Sequence, residues 1–204
     1  GNEVPFEGGE YYALKDVPHG DIRMKRYYSE VSRSWRRFFV YTPAGYDTRT
    51  DEKYPVLYLL HGGGEDERGW ATQGKTDLIM DNLIAAGKAK PMLVVMLDGN
   101  MPSAGFNSGA LKAFEAELTQ AVIPFVEKNY RVRKEADSRA LAGLSMGGIQ
   151  TLYAGLYHTD LFSHLGVFSS GWLPFYQKTA DAQYEFISKN KAGIDAQLRL
   201  LWIA

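Results

Sequence analysis

The sequence contains no cysteine, which removes disulfides and thiolate metal sites at once. Its four histidines, His19, His61, His158 and His164, stand at no metal-ligand spacing, so neither a metal nor any other cofactor is expected. Charge of one sign is also lacking: 23 basic residues face 24 acidic ones with no basic run, which argues against nucleic acid or an anionic membrane as partner. No apolar run approaches the length of a membrane span. The chain opens Gly-Asn-Glu rather than with a leader, an opening read as that of a processed or cut chain. Repeats and low-complexity tracts are absent. What remains is a chain of 204 residues, 45% hydrophobic, suited to one domain with a sizeable core and a small or neutral ligand.

One stretch organises the rest. Arg139-Ala-Leu-Ala-Gly-Leu-Ser145-Met-Gly-Gly-Ile-Gln-Thr-Leu reads as a short buried strand, a glycine-flanked serine and a helix. Gly143 and Gly147, two residues either side of Ser145, let the backbone turn sharply and lift the serine hydroxyl into the open, the pattern of a nucleophile elbow. The five-residue pattern alone arises by accident in roughly one such chain in ten. The apolar run before it and the helical spacing of Ile149, Leu152, Tyr153 and Leu156 after it supply the required context. Ser145 is the candidate nucleophile.

In chain order, residues 1–20 read as an irregular surface strap, rich in Gly, Pro and aromatics. Two β-rich runs, 21–31 and 34–43, predict an antiparallel entry hairpin. Tyr54–Leu60 and Pro91–Leu97 are nearly unbroken apolar runs, as expected of parallel strands covered on both faces. A helix is predicted near 77–86, capped by Gly87. A second carries Phe114, Leu118, Ala121, Val122 and Phe125 on one stripe, with Pro124 expected to kink or end it. After the elbow come a strand at 164–169, an aromatic loop at 171–176, a helix near 181–189 and a strand at 198–204. Five parallel-type strands alternating with helices behind a hairpin predict a doubly wound α/β sheet, with its ligand at the carboxyl ends of the strands. His61-Gly-Gly-Gly64, Asp98-Gly-Asn and Ser145 should converge there.

The glycine run supplies the second half of an acyl-transfer site, because bare backbone can aim N–H donors at a developing oxyanion. The donors are assigned to Met146 and Gly63, with Gly62 and Gly64 open as alternatives; His61 is read as structural support for the loop. Aromatics on carboxyl-edge loops that could stack a flat acyl group are Trp70, Phe106, Trp172, Phe175 and Tyr176, about half of which should serve packing instead.

These residues, with Leu59-Leu-His-Gly-Gly-Gly-Glu-Asp-Glu-Arg-Gly-Trp70, Ile79-Met-Asp-Asn-Leu-Ile84, Val122-Ile-Pro-Phe-Val-Glu-Lys-Asn-Tyr-Arg131 and the elbow, give a sequence that closely resembles the α/β-hydrolase fold. Within that fold it is similar to the esterase D-like group with the feruloyl and acetyl-xylan esterases of carbohydrate esterase family one, over most of residues 20–204. The resemblance implies a serine esterase, secreted or periplasmic, that cleaves phenolic or acetyl esters of plant cell-wall sugars through an acyl-enzyme. Its substrate would be a small ester or a feruloylated or acetylated oligosaccharide, and glycan-degrading modules often adjoin such domains. Readings outside that one are a serine acyltransferase or thioesterase of the same fold, and a non-catalytic module that binds carbohydrate or a partner protein.

The triad of this fold runs Ser, then Asp or Glu, then His. Downstream of Ser145 stand only His158 and His164. His158 falls about 20 Å along the nucleophile helix, and His164 opens the next strand at that same distant edge. Asp160, Asp181, Glu185 and Asp195 are read as helix-start or far-edge carboxylates. The resemblance places the acid after the strand at 198–204 and the histidine later still. The expectation is therefore one esterase domain over 1–204 whose C-terminal strand, helix, triad acid and histidine are not in this chain, and a 204-residue polypeptide that is inactive by itself.

Overall fold

A computed structural model describes residues 7–102 and 107–204. Its centre is built from the apolar runs: Val56–Leu60 (β3) and Leu93–Leu97 (β4) lie side by side in parallel, with Leu57 opposite Val94 and Leu60 opposite Leu97. Every residue of β4 is buried because helices cover both faces of the sheet at that point. The seven strands run in the order β1-β2-β4-β3-β5-β6-β7, where Arg139–Leu144 is β5, His164–Phe168 is β6 and Leu200–Ile203 is β7. Strands β3 to β7 are parallel, while Asp21–Ser29 (β1) and Ser34–Thr42 (β2) form the expected antiparallel hairpin against β4. The fold is the doubly wound, mostly parallel sheet predicted from the sequence.

Alternation along the hairpin explains which side it buries. Tyr27, Ser29, Phe38 and Val40 turn inward; Met24, Tyr28 and Trp35 stay exposed. Two of the inward polar groups share one buried carboxylate, Glu117, which accepts from the Tyr27 hydroxyl at 2.8 Å and the Ser29 hydroxyl at 2.6 Å. Glu117 ends the helix Ser108–Glu117 (α3), so this contact fixes the hairpin to the helical layer.

That layer holds α3, Ile123–Asn129 (α4), Met146–Tyr157 (α5) and Gln177–Gln197 (α6). Phe114, Leu118, Val122, Leu152, Leu156 and Phe162 pack there against Tyr58, Leu60, Leu141 and Leu165. Each fully buried side chain of this size stabilises by about 1.5–3 kcal/mol. The opposite face is covered by Arg68–Thr72 (α1) and Thr76–Ala85 (α2), through Trp70, Met80 and Ile84 on Leu59, Val94 and Met96. Beyond α2 the same face of β5 to β7 carries an apolar groove of about 320 Å³ lined by Leu57, Ala142, Phe168 and Trp202.

Pro124 does not end its helix. It sits in the first turn of α4, and a π-helical segment at Leu118–Val122 joins α3 to α4 directly. The wider turn accommodates the missing N–H and the ring while the Leu118 and Val122 stripe stays buried. The helix expected near 181–189 runs over Gln177–Gln197, and α1 lies in a stretch too short for periodicity to reveal. Gly87 takes the left-handed conformation, φ 69°, just past α2, as its capping role requires.

Candidate active site

Register sets the site. Leu60 is opposite both Leu97 and Gly143, and Gly143 is opposite Val167, so β4, β3, β5 and β6 end level with one another. With strands about 4.8 Å apart, the loops that begin at Asp98, His61, Ser145 and Ser169 line one edge, in that order. The convergence of the glycine run, the Asp98 loop and Ser145 follows from this pairing alone.

Ser145 is exposed at the turn between β5 and α5, with φ 53° and ψ −111°, a region a residue with a side chain rarely occupies. The flanking glycines are required by close approach. A methyl group on Gly143 would stand 2.3 Å from the Gly147 carbonyl carbon; one on Gly147 would stand 2.6 Å from the Leu60 Cβ and 2.7 Å from the His61 carbonyl oxygen. The turn is held from both sides. The Ser145 N–H donates to the Phe168 carbonyl at 2.9 Å, and the Ser145 carbonyl accepts from Ile149 N–H at 3.1 Å and the Ser170 hydroxyl at 2.6 Å. The serine hydroxyl itself makes no hydrogen bond among the described residues.

The glycine run lies across from it. Leu144 O and the Ser145 Cβ are both 3.7 Å from where a Gly62 side chain would begin, so the run passes directly beside the elbow at Gly62. The Gly62 N–H is already engaged, donating to Glu65 Oε2 at 3.1 Å. Among the described residues no turn or loop hydrogen bond takes up the N–H of Gly63 or Met146. Of the three glycines, Gly62 is therefore committed to holding the loop. Trp70 does the same from beneath, donating its indole N–H to the Leu60 carbonyl at 2.9 Å while its ring packs on Leu59 and Met96.

His61 is fully buried and its ring braces two loops. Nδ1 meets the Gly62 carbonyl at 2.8 Å and Nε2 accepts from the Gly99 N–H at 3.0 Å, with Asp98 Oδ1 at 3.4 Å. Burial pulls its pKa down, yet Asp98 and the Gly62 carbonyl outweigh that, and the ring titrates above the ordinary imidazole value. Burial likewise pushes Asp98 up, but His61, the Asn100 N–H and Arg36 hold its carboxyl below the usual range. Gln150 on α5 completes the brace by donating to the Gly99 carbonyl at 2.7 Å. The other histidines are committed far away. His158, just past the end of α5, pairs with Glu115 at 2.7 Å; His164, opposite Ala140 at the amino edge, contacts the Ser163 hydroxyl; His19 binds Asp81. None of the four hydrogen-bonds Ser145.

The five aromatics part company. Phe175 is 61% exposed and Trp172 is half-buried, but Tyr176 is only 4% exposed and packs with Leu111, Ile149 and Tyr153. Tyr176 thus serves packing, while Trp70, in α1, packs on the sheet and stays partly exposed. Phe106 lies outside the described residues. Three residues with a role at this edge carried no sequence signal: Glu65, Ser170 and Gln150 are common polar residues whose use depends on chains brought together from 25 to 51 positions away, or on the shape of one turn.

Comparison with known proteins adds to this geometry. The family model described as Esterase matches residues 29–199. An endo-1,4-beta-xylanase/feruloyl esterase of Xylanibacter ruminicola is 39% identical over 214 residues, across 98% of this chain and 30% of its own length. Endo-1,4-beta-xylanase Y of Acetivibrio thermocellus is 33% identical, across 69% of this chain and 13% of its own. The chain thus spans less than a third of either relative. Among solved structures, a serine-to-alanine mutant of the feruloyl esterase module from Clostridium thermocellum, complexed with sinapinate, superposes with a TM-score of 0.73 at 28% identity, covering 94% of this chain and 68% of that one.

Proposed function

Because the chain belongs to the Esterase family, we propose that it hydrolyses carboxylic esters of plant cell-wall polysaccharide, feruloyl esters first and acetyl esters next, through an acyl-enzyme on Ser145. The observation that carries this reading is Ser145 itself, exposed at φ 53° on a strand–helix turn that the glycine run passes at Gly62, with no turn or loop hydrogen bond among the described residues taking up the N–H of Gly63 or Met146. The names of its xylanase/feruloyl esterase relative and of the sinapinate complex support the aromatic acyl group and the cell-wall setting. Phe175 and Trp172 would face that acyl group.

In the proposed sequence, the Ser145 Oγ attacks the ester carbonyl carbon and passes its proton to an imidazole base. The developing oxyanion is held by the Gly63 and Met146 N–H groups, each donor lowering the barrier by about 3 kcal/mol. The sugar alcohol leaves with the proton, and water then attacks the acyl-serine, giving a proton to the same base; the acyl–Oγ bond breaks, the acid is released and the base returns the proton to the Ser145 Oγ. We place the base and its carboxylate outside these 204 residues, because the four histidines here are engaged elsewhere. Adjoining glycan-degrading modules and an extracellular or periplasmic setting belong to the same proposal; among the described residues no helix is long and apolar enough to cross a membrane.

That same engagement of every histidine favours one second reading, a module that binds an esterified glycan without turning it over. Reaction of the full-length protein with a fluorophosphonate probe and with methyl ferulate separates the two. Labelling that disappears in Ser145→Ala, together with ferulate release, supports the esterase; neither labelling nor release supports the binding module.

A further inference from the structure

The free end of the β1–β2 hairpin carries an aromatic pair that the fold does not use. Tyr28 and Trp35 are opposite each other in register, with rings 5.8 Å apart and 74° between planes, yet Trp35 is 72% exposed and Tyr28 is half-exposed. An indole left in water contributes little to folding, and its edge-to-face partner holds the ring in one orientation instead of tucking it away.

Beside Trp35 a groove of about 600 Å³ runs from the hairpin end to the loop after β4, a volume ordinary for a small-molecule site. Its walls carry three guanidinium groups, of Arg26, Arg36 and Arg37, and three carboxylates, of Asp66, Glu67 and Asp98. The charges balance, so the groove does not select an ion of either sign. Several of these groups are pinned: Arg37 pairs with Glu67, and Arg36 donates to the carbonyls of Asp98 and Asn100. Arg26 is exposed and makes no hydrogen bond or ion pair among the described residues. Fixed donors and acceptors next to a flat apolar ring match a pyranose sugar, whose C–H face stacks on an indole while its hydroxyl rim takes several hydrogen bonds.

The groove is joined to the elbow by two residues. Asn100, in its wall, donates from Nδ2 to the Glu65 carbonyl at 2.8 Å, and Glu65 holds the Gly62 N–H beside Ser145. From these observations we propose that the groove is a subsite for a neutral pyranose oligosaccharide, the alcohol portion of the ester, with Trp35 as its stacking platform and Arg26 as a hydroxyl donor. The assignment to the alcohol side rests on the esterase reading of Ser145.

The test uses the full-length protein and its Trp35→Ala and Arg26→Ala variants, with two esters that share an acid. On a feruloylated xylo-oligosaccharide, Trp35→Ala should lower kcat/KM about three- to tenfold, mainly through KM, as expected for one lost stacking contact. On methyl ferulate it should leave both constants unchanged. Arg26→Ala should show the same split more weakly. An equal loss on both esters, or no loss on either, overturns the subsite. A second measurement is independent of turnover: xylotetraose without ester should change the tryptophan fluorescence of wild type and of Ser145→Ala, and that part of the change should vanish in Trp35→Ala. A response unaltered by the substitution overturns the proposal. If wild type releases no ferulate, the esterase reading fails while the fluorescence titration still decides the groove.

Discussion

The Ser170 hydroxyl donates to the carbonyl oxygen of Ser145 at 2.6 Å, from the loop that follows β6 to the turn that follows β5. The bond bears on the one peptide unit whose orientation sets both where the serine side chain points and where the Met146 N–H is aimed. Removing it by Ser170→Ala should therefore reduce kcat about three- to tenfold, the equivalent of one ordinary hydrogen bond of about 1 kcal/mol, with KM nearly unchanged. Steady-state kinetics on methyl ferulate check this. A rise in KM at constant kcat would mean that Ser170 contacts substrate and does not position the nucleophile.

Gly147 faces backbone as well as side chain. An added methyl would stand 2.7 Å from the His61 carbonyl oxygen and 2.8 Å from that of Leu60, backbone atoms at the end of β3 that cannot swing aside as a side chain could. Gly147→Ala should destabilise by about 2–3 kcal/mol through overpacking, and equilibrium urea unfolding measures it. Gly171, with nothing within 4 Å of the same added atom, is the matched control. Its alanine variant should unfold at nearly the wild-type midpoint.

The contrast between those two glycines also marks what the sequence could convey. The strand–serine–helix order, the buried runs of β3 and β4 and the left-handed cap at Gly87 are local patterns, each complete within about a dozen residues, and each reads correctly. What it leaves open depends on contacts between distant stretches. Phe175 and Tyr176 are adjacent aromatics in one loop, yet one points to water and the other into the cluster of Ile149 and Tyr153, a choice set by how α5 lies below them. Pro124 reads as a helix kink or end because its missing N–H is a local fact, whereas the π turn that absorbs it is stabilised by the burial of Leu118 and Val122. Trp35 is invisible for the converse reason: in sequence it is one more large residue in a β-rich run.

The N-terminal strap is clasped by a titratable pair. His19 Nδ1 lies 2.9 Å from Asp81 Oδ2 and its Nε2 lies 3.0 Å from the Lys15 carbonyl, so both ring nitrogens face acceptors and the doubly protonated ring suits the site. The hydrogen bond to Asp81 raises the His19 pKa above its ordinary value. A raised folded-state value means that the contribution is fully present below the unfolded pKa of about 6.5 and is lost as pH rises through the higher folded value. The melting temperature should therefore fall by more in wild type than in His19→Gln as pH rises above about 6.5, because the glutamine side chain cannot titrate. Parallel profiles for the two proteins would show that the clasp does not hold the imidazolium.

The strain at Ser145 makes stability and activity oppose each other at a single position. With φ 53° and ψ −111°, the residue occupies a region that glycine enters freely and that costs a residue with a side chain about 1–3 kcal/mol. Ser145→Gly releases that strain, but the freer unfolded chain takes back about 0.4–1 kcal/mol. A net gain of about 1 kcal/mol should raise the melting temperature by about 2–4 °C in a chain of this size, while probe labelling and ester hydrolysis disappear with the hydroxyl. Ser145→Ala separates the two effects, because it removes the hydroxyl and keeps the β-carbon, so its melting temperature should stay close to that of wild type. Calorimetry on the three proteins gives the order: glycine highest, alanine and serine together below it. If glycine melts at or below alanine, the turn is not strained, and the exposure of the serine hydroxyl must then come from the packing of Gly143 against Gly147 alone.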